Sequence, residues 1–271
     1  MIDSHCHLAD AKFSKDLPDV LARAAAVGVD RIVAIADNFE EADRCRRLAE
    51  KYEQIFYTIG VHPHAANEWR MANCALRMKE ELQHPKCVAV GEIGLDYHYM
   101  HSSKEDQLRA FREQLMIAKE LGLPAVIHNR ESIDDLTMII AEVAPPALVL
   151  HCCTEEWESV SDLVKRGYLL SFTGMATYPK LQLVRDTITR CPLSQMMVET
   201  DAPYLAPEAF RGKRCEPSMV VEIAKLIAQL KGISYEEVDR VTTQNAEKFY
   251  GLRVVPSAGI EPATPASEAG G

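Results

Sequence analysis

The chain has 271 residues, of which 47% are hydrophobic and 26% are charged, and its formal net charge at pH 7 is −10. This composition predicts a globular protein with ample apolar material for a core, and the negative charge argues against a protein that coats nucleic acid along its whole surface. No stretch approaches the roughly 18 apolar residues of a membrane span, and the N-terminus lacks the regions of a signal peptide. We therefore expect a cytoplasmic protein, and nothing in the sequence indicates a membrane or an obligate protein partner.

Short β-branched and apolar runs alternate along the chain with longer amphipathic stretches. The short runs are nearly continuous in their apolar character, as expected for parallel strands that are covered on both faces. The predicted strands are Ile2–His7, Arg31–Ala36, Ile55–His62, Cys87–Gly94, Ala125–Asn129, Ala147–Cys152, Tyr168–Gly174 and Met196–Pro203.

The ends of several predicted helices carry capping signals. A short polar side chain that precedes a glutamate by three residues can open a helix as a capping box. This spacing occurs at Ser102 and Glu105, at Asn38 and Glu41, and at Ser234 and Glu237. Glycines stand where helices are expected to stop: Gly122, Gly232 and Gly251.

Eight strand–helix units in a chain of this length predict an α/β fold, a (β/α)8 TIM barrel in a single domain over residues 1–252. The alternative is an open, doubly wound sheet, which would favour a glycine-rich turn after an early strand. Residues 253–271 are rich in Pro, Ala, Gly and Ser without periodicity, so we expect a flexible C-terminal tail with no catalytic part.

Most of the histidines fall at the ends of predicted strands. Of the nine, only His84, His98 and His101 lie elsewhere. The active site of a (β/α)8 barrel lies at the carboxyl ends of its strands, so the other histidines would meet at one face of the barrel. His5 and His7 are two residues apart in the first strand, and their side chains should therefore point the same way.

This pattern indicates a hydrolytic centre with two divalent metal ions. His5 and His7 would bind one ion, and His128 and His151 would bind the other. Glu92 could bridge the two ions, since a carboxylate has two oxygens. The residue types leave the metal open, because imidazoles suit Zn²⁺ whereas carboxylates and a phosphate substrate also allow Mg²⁺ or Mn²⁺.

Asp201 follows the strand that would close the barrel against the first one. It could bind the first ion and accept the proton of the attacking water, which makes Asp201 and Glu92 the catalytic candidates. A single histidine or aspartate in a barrel is usually a structural hydrogen-bonding group, so the prediction depends on the six residues as a set.

Cationic and polar side chains near the same face could hold a phosphate group. His62 and His64 could donate to a phosphate oxygen, or they could brace the turn at Pro63. Arg130 could pair with a phosphate or with a nearby carboxylate. Three cations after the last strand would meet a DNA backbone, unless they form a solvated loop: Arg211, Lys213 and Arg214.

The sequence resembles the TatD family of metal-dependent hydrolases, within the amidohydrolase superfamily, over roughly residues 1–252. Six motifs in order carry the resemblance: Ser4-His5-Cys6-His7-Leu8, Gly60-Val61-His62-Pro63-His64, Gly91-Glu92-Ile93-Gly94-Leu95-Asp96-Tyr97, His128-Asn129-Arg130, His151-Cys152, and Glu199-Thr200-Asp201-Ala202-Pro203-Tyr204-Leu205-Ala206-Pro207.

The resemblance implies a (β/α)8 barrel and a divalent-metal deoxyribonuclease, with 3′→5′ exonuclease action on DNA in some members. It implies the same metal ligands as the residue pattern: His5, His7, Glu92, His128, His151 and Asp201. The wider superfamily often bridges its metals with a modified lysine, whereas the fourth strand of this chain supplies Glu92.

Two other functions remain open from the sequence. A hydrolase of small amides, esters or lactones could use the same metal set, because a fold does not fix a function. A metal-binding barrel without activity could serve as a scaffold for partners. Arg130 and the cations at 211–214 favour DNA, since a neutral substrate would not need them.

Overall fold

A parallel sheet of eight strands forms the centre of the structure, a computed structural model that describes residues 1–70 and 73–252. The strands follow one another in the sheet in chain order. They are β1 Ile2–Cys6, β2 Arg31–Ala34, β3 Ile55–Ile59, β4 Cys87–Asp96, β5 Ala125–Arg130, β6 Leu148–Leu150, β7 Leu169–Phe172 and β8 Met196–Val198. The predicted tail, residues 253–271, lies outside the described residues.

The sheet closes on itself where β8 returns to β1. A parallel bridge joins Cys6 to Ala202, and two backbone bonds support it. The Asp201 N–H donates to the His5 carbonyl at 3.0 Å, and the His7 N–H donates to the Ala202 carbonyl at 2.8 Å. The predicted (β/α)8 barrel is therefore confirmed, and the open doubly wound sheet is excluded.

The helices between the strands pack their apolar sides on the outside of the sheet. They are α1 Leu17–Ala26, α2 Phe39–Lys51, α3 Cys74–Glu81, α4 Lys104–Leu121, α5 Ile133–Val143, α6 Trp157–Lys165, α7 Gln182–Arg190, α8 Val220–Lys231 and α9 Tyr235–Tyr250. None of the described helices is both long and apolar enough to cross a membrane.

The lower part of the barrel interior is apolar. Side chains from six strands and the end of α9 pack together there: Ile2, Val33, Ile35, Val88, Ala89, Val126, Val149, Met197, Phe249 and Tyr250. The Tyr250 hydroxyl donates to the Ser4 carbonyl at 2.9 Å, which fixes α9 beneath β1. This packing leaves the opposite, carboxyl end of the barrel for polar side chains.

The predicted helix ends are mostly confirmed, with one correction. Asn38 and Ser234 cap α2 and α9 as expected. The cap of α4 is Ser103, whose hydroxyl accepts from the backbone N–H of Asp106. Ser102 is buried and donates to the His64 carbonyl at 3.0 Å, so its hydroxyl serves a tertiary contact and not the helix.

Candidate metal centre

The carboxyl ends of the strands surround an open cavity of about 460 Å³. All four histidine-bearing strand ends that the sequence predicts as part of the site reach it. Its lining includes most of the candidate site residues: His7, His62, His64, Glu92, His128, Arg130, His151 and Asp201. His5 is fully buried beneath this lining.

A one-residue irregularity in β1 places its two histidines. Ile2 packs in the barrel interior, and strict alternation would turn His5 to the opposite face. The register of β1 against β2 shifts between Asp3 and Cys6, however, and the extra residue re-aims the strand. The Nε2 atoms of His5 and His7 consequently lie 3.3 Å apart.

Glu92 lies at the middle of the imidazole cluster and is only 2% exposed. Its Oε2 faces the first predicted pair, 3.3 Å from His5 Nε2 and 3.8 Å from His7 Nε2. Its Oε1 faces the second pair, 2.8 Å from His128 Nδ1 and 2.9 Å from His151 Nε2. Each oxygen of the carboxylate thus serves one half of the centre.

The register of β4 against β5 also shifts, between Val90 and Ile93, which is the point where Glu92 emerges. Gly94, two residues after Glu92, pairs with His128 of β5. A Cβ at Gly94 would collide with the His128 carbonyl oxygen, and its φ of +148° also favours glycine. The close approach of the two strands brings His128 within reach of Glu92.

Asp201 completes the half of the centre that lies on the β1–β8 seam. Its Oδ1 is 3.4 Å from His5 Nε2 and 3.3 Å from His7 Nε2. The residue has a φ of +55°, a left-handed conformation that aspartate adopts more readily than most residues. This turn directs the carboxylate back toward β1.

Two buried carboxylates that the sequence analysis did not select hold the histidines from behind. Glu199 accepts from the Ser171 hydroxyl at 2.6 Å and from the Cys152 N–H at 2.7 Å, and it lies 3.3 Å from His151 Nδ1. Asp96 is the second. Both occur within the quoted motifs, but their residue type alone gave no sign of these contacts.

Asp96 connects three segments of the rim. Its Oδ2 is 2.8 Å from His64 Nε2 and 3.3 Å from His128 Nε2. Its Oδ1 accepts from the N–H groups of His98 and Tyr99 at 3.0 and 2.8 Å. Burial alone would raise the pKa of Asp96, but these hydrogen bonds bring it below its ordinary value.

The charges of the centre favour a cation. Burial by itself raises the pKa of Glu92, yet the nearby His151 and His5 bring it well below its ordinary value. Burial lowers the pKa of His7, but the surrounding carboxylates, Asp37 foremost, raise it to about 10. Carboxylates that draw protons onto imidazoles create a negative potential that would equally favour a divalent metal.

The donor geometry also fits a metal. Groups of donor atoms within 4.8 Å of one another are His5, His7 and Asp201; His5, Glu92 and His151; and His62, Glu92 and His128. The six predicted ligands therefore come together. His62, which we predicted as a substrate contact, lies 3.6 Å from Glu92 Oε1 and is placed as a further donor of the second half.

The predicted phosphate contacts separate into two groups. Arg130 lines the cavity, and its Nε is buried without a hydrogen-bond partner among the described residues. Arg214 is bound in an ion-pair network with Asp16 at 2.6 Å and Glu216 at 2.8 Å. Arg130 is thus available to a ligand in the cavity, whereas Arg214 already has internal partners.

The other two cations of the 211–214 loop are exposed and lie outside the cavity lining. Arg211 pairs with Glu208 at 3.2 Å and covers the Tyr178 ring at 4.5 Å. Lys213 has its ammonium 5.8 Å from the Phe210 ring. These cations could contact only a substrate that extends beyond the cavity.

This chain is similar in sequence and in structure to known proteins. The family described as TatD related DNase matches residues 2–251. The uncharacterized metal-dependent hydrolase YabD of Bacillus subtilis is 37% identical over 254 residues, covering 93% of this chain and 99% of its own. The 3′-5′ ssDNA/RNA exonuclease TatD of Citrobacter rodentium is 34% identical over 262 residues, covering 93% and 98%. The crystal structure of YjjV, a TatD homolog from Escherichia coli, matches with a TM-score of 0.88 at 30% identity, covering 93% and 98%.

Proposed function

Because this chain belongs to the TatD related DNase family of metal-dependent hydrolases, we propose that it is a nuclease that hydrolyses phosphodiester bonds of DNA from a 3′ end. The 3′-5′ exonuclease named among its relatives supports the direction of attack. The observation that carries the proposal is the position of Glu92, whose two oxygens face two separate sets of donors. That arrangement suits two ions that share one bridging carboxylate.

In this proposal the ligands divide along the sheet. His5, His7 and Asp201 would hold an ion on the β1–β8 seam, and His128 and His151 would hold the other. Two divalent ions in these positions would lower the pKa of a water between them and stabilise charge on the phosphoryl oxygens.

Asp201 accepts the proton of the attacking water. Burial alone would raise the pKa of Asp201, but the hydrogen bond and charge of His7 lower it, so that the carboxylate is ionised and can act as a base. Arg130, which lines the cavity, donates from its guanidinium group to a non-bridging phosphate oxygen. His64 stands beside the same opening, with its Nε2 directed at Asp96.

The first experiment is cleavage of a single-stranded DNA oligomer labelled at its 5′ end, with Mg²⁺, Mn²⁺ or Zn²⁺ added separately. We expect labelled products that shorten one nucleotide at a time as the reaction proceeds, as stepwise removal of nucleotides from the 3′ end requires. The ladder should vanish with a chelator and in His128→Ala. An oligomer that stays intact with all three metals would refute the proposal.

A small-molecule hydrolase is the second candidate, and the internal pairing of Arg214 favours it, because that pairing weakens the basic loop as a DNA contact. The two candidates differ in their need for cations. Charge reversal of Arg211 and Lys213 together with Arg130 should abolish DNA cleavage if DNA is the substrate, while hydrolysis of a small activated ester persists. Equal survival of both activities would favour the second candidate.

A further inference from the structure

We propose that Tyr99 is a stacking platform for an unpaired nucleobase next to the metal centre. The inference rests on the proposed nuclease function and names a substrate contact that the metal centre itself does not supply. Tyr99 lies in the loop between β4 and α4 and lines the cavity.

Tyr99 is unusually open for a large aromatic side chain. It is 57% exposed, and the adjacent Met100 is 44% exposed. Among the residues that the structure describes, no group forms a hydrogen bond with the Tyr99 hydroxyl. Exposed apolar surface beside a cavity commonly marks a binding site, and an aromatic ring offers a flat surface suited to another ring.

Neighbouring imidazoles contact the Tyr99 ring, which still remains 57% exposed. The ring of His98 meets it edge-on, with centroids 4.7 Å apart. The ring of His101 is nearly parallel to it, at 3° with centroids 5.8 Å apart. The ring of His64 meets both edge-on, with its centroid 5.5 Å from that of Tyr99 and 4.7 Å from that of His101. The rings of Tyr99, His64 and His101 form one aromatic block at the rim of the cavity.

This aromatic block is fixed relative to the metal centre through Asp96. One oxygen of that buried carboxylate accepts from the Tyr99 backbone N–H at 2.8 Å, while the other lies 3.3 Å from Nε2 of the predicted ligand His128. At the other end of the loop, the Ser102 hydroxyl donates to the His64 carbonyl. A base on Tyr99 would therefore sit at a set position beside the reacting phosphate.

The tyrosine on the opposite rim is engaged differently. The Tyr204 hydroxyl donates to Asp10 at 3.0 Å, and the Lys12 ammonium lies 4.5 Å above its ring. One face of Tyr204 is thus already covered by a cation. It provides a matched control, since it is also an exposed tyrosine at the same cavity.

The ligand class follows from the geometry. An aromatic side chain stacks on any base, because every base has a π-face, but the base must be free of its partner strand. Replacement of such a side chain typically weakens binding by roughly 5- to 150-fold. Tyr99 therefore selects single-stranded ends, with little preference among the four bases.

The test uses the metal-loaded protein and dT oligomers in which an abasic analogue replaces one of the last three nucleotides. Binding is measured by fluorescence anisotropy on oligomers whose terminal linkages are phosphorothioates that resist hydrolysis. For at least one position we expect the abasic oligomer to bind wild type about 10-fold more weakly than the intact oligomer. That ratio should approach one in Tyr99→Leu and should persist in Tyr99→Phe and Tyr204→Leu.

The platform is refuted if wild type binds all oligomers equally, if it binds none, or if Tyr99→Leu keeps the full ratio. Thermal unfolding of Tyr99→Leu shows whether the variant is folded, and Tyr99→Phe tests the ring if it is not. Cleavage of the normal oligomers is followed in parallel. Cleavage without base-dependent binding would support the nuclease proposal and refute the stacking platform. Base-dependent binding without cleavage would support the platform and refute the nuclease proposal.

Discussion

The substitution Glu199→Gln tests how the centre is held in place. Glu199 does not itself line the cavity, but it receives hydrogen bonds from Ser171 and Cys152, and it faces Nδ1 of His151. Glutamine has nearly the same shape and removes the negative charge. The change therefore isolates the electrostatic contribution of a carboxylate behind a predicted metal ligand.

The size of the effect follows from these contacts. The amide oxygen can still accept from the Cys152 N–H, and the Ser171 hydroxyl can rotate to accept from the new amide. Charge-assisted hydrogen bonds become neutral ones, which costs about 1 kcal/mol and lowers Tm by about 2–4 °C for a chain of this size. Loss of a charged partner on a ligand histidine typically lowers metal affinity by about 10- to 100-fold.

Metal affinity is measured by competition with a chromophoric chelator, and stability by thermal unfolding of the metal-free protein. Glu199→Ala is the contrasting variant, because it leaves two buried donors unpaired at about 1–3 kcal/mol each. We expect Glu199→Gln to lose affinity while it stays nearly as stable as wild type. Wild-type affinity in Glu199→Gln would show that this carboxylate does not tune His151.

Four further substitutions separate the roles of other residues. Glu92→Gln should reduce the bound metal, measured by atomic emission, below two ions per chain. It should also reduce turnover in the oligomer assay by at least about 100-fold. An unchanged metal content would contradict the bridging role. Gly94→Ala should destabilise the protein and weaken metal binding, because the methyl group pushes against the His128 backbone. If calorimetry gave this variant the same Tm as wild type, the prediction would be wrong. Arg130→Ala should raise the KM for DNA and reduce the salt dependence of that KM, whereas Arg214→Ala should chiefly lower Tm. If Arg214→Ala instead raised the KM and Arg130→Ala lowered only Tm, the 211–214 loop would be the substrate contact.

The barrel could be predicted from sequence because its signal is repeated along the chain. Each strand is an apolar run and each is followed by an amphipathic stretch, so a single misplaced boundary does not change the outcome. The strand ends were less predictable. The eighth strand was expected to reach Pro203 but ends at Val198. Beyond it, Glu199 contacts Cys152 and Ser171, and Thr200 contacts Asp3.

The convergence of the six predicted ligands was foreseeable, because residues at the carboxyl ends of parallel strands must meet at one face. The bulges that aim His5 and Glu92 were not foreseeable, since no residue type at those positions announces an extra residue. The ion pair between Arg214 and Asp16 spans nearly the whole described chain. A single sequence gives no means to choose that partner over solvent or a substrate.

The seam between β1 and β8 sets a condition on when the protein can become active. His5 lies in β1, whereas Asp201 and Ala202, which bridges to Cys6, follow β8. The half of the centre on this seam exists only after the ring is complete, and α9 must still dock beneath β1. A nascent chain that stops short of β8 therefore carries most of the barrel but lacks a donor of that half-site. Synthesis from β1 towards β8 thus delays the assembly of this half-site until the eighth strand has been made.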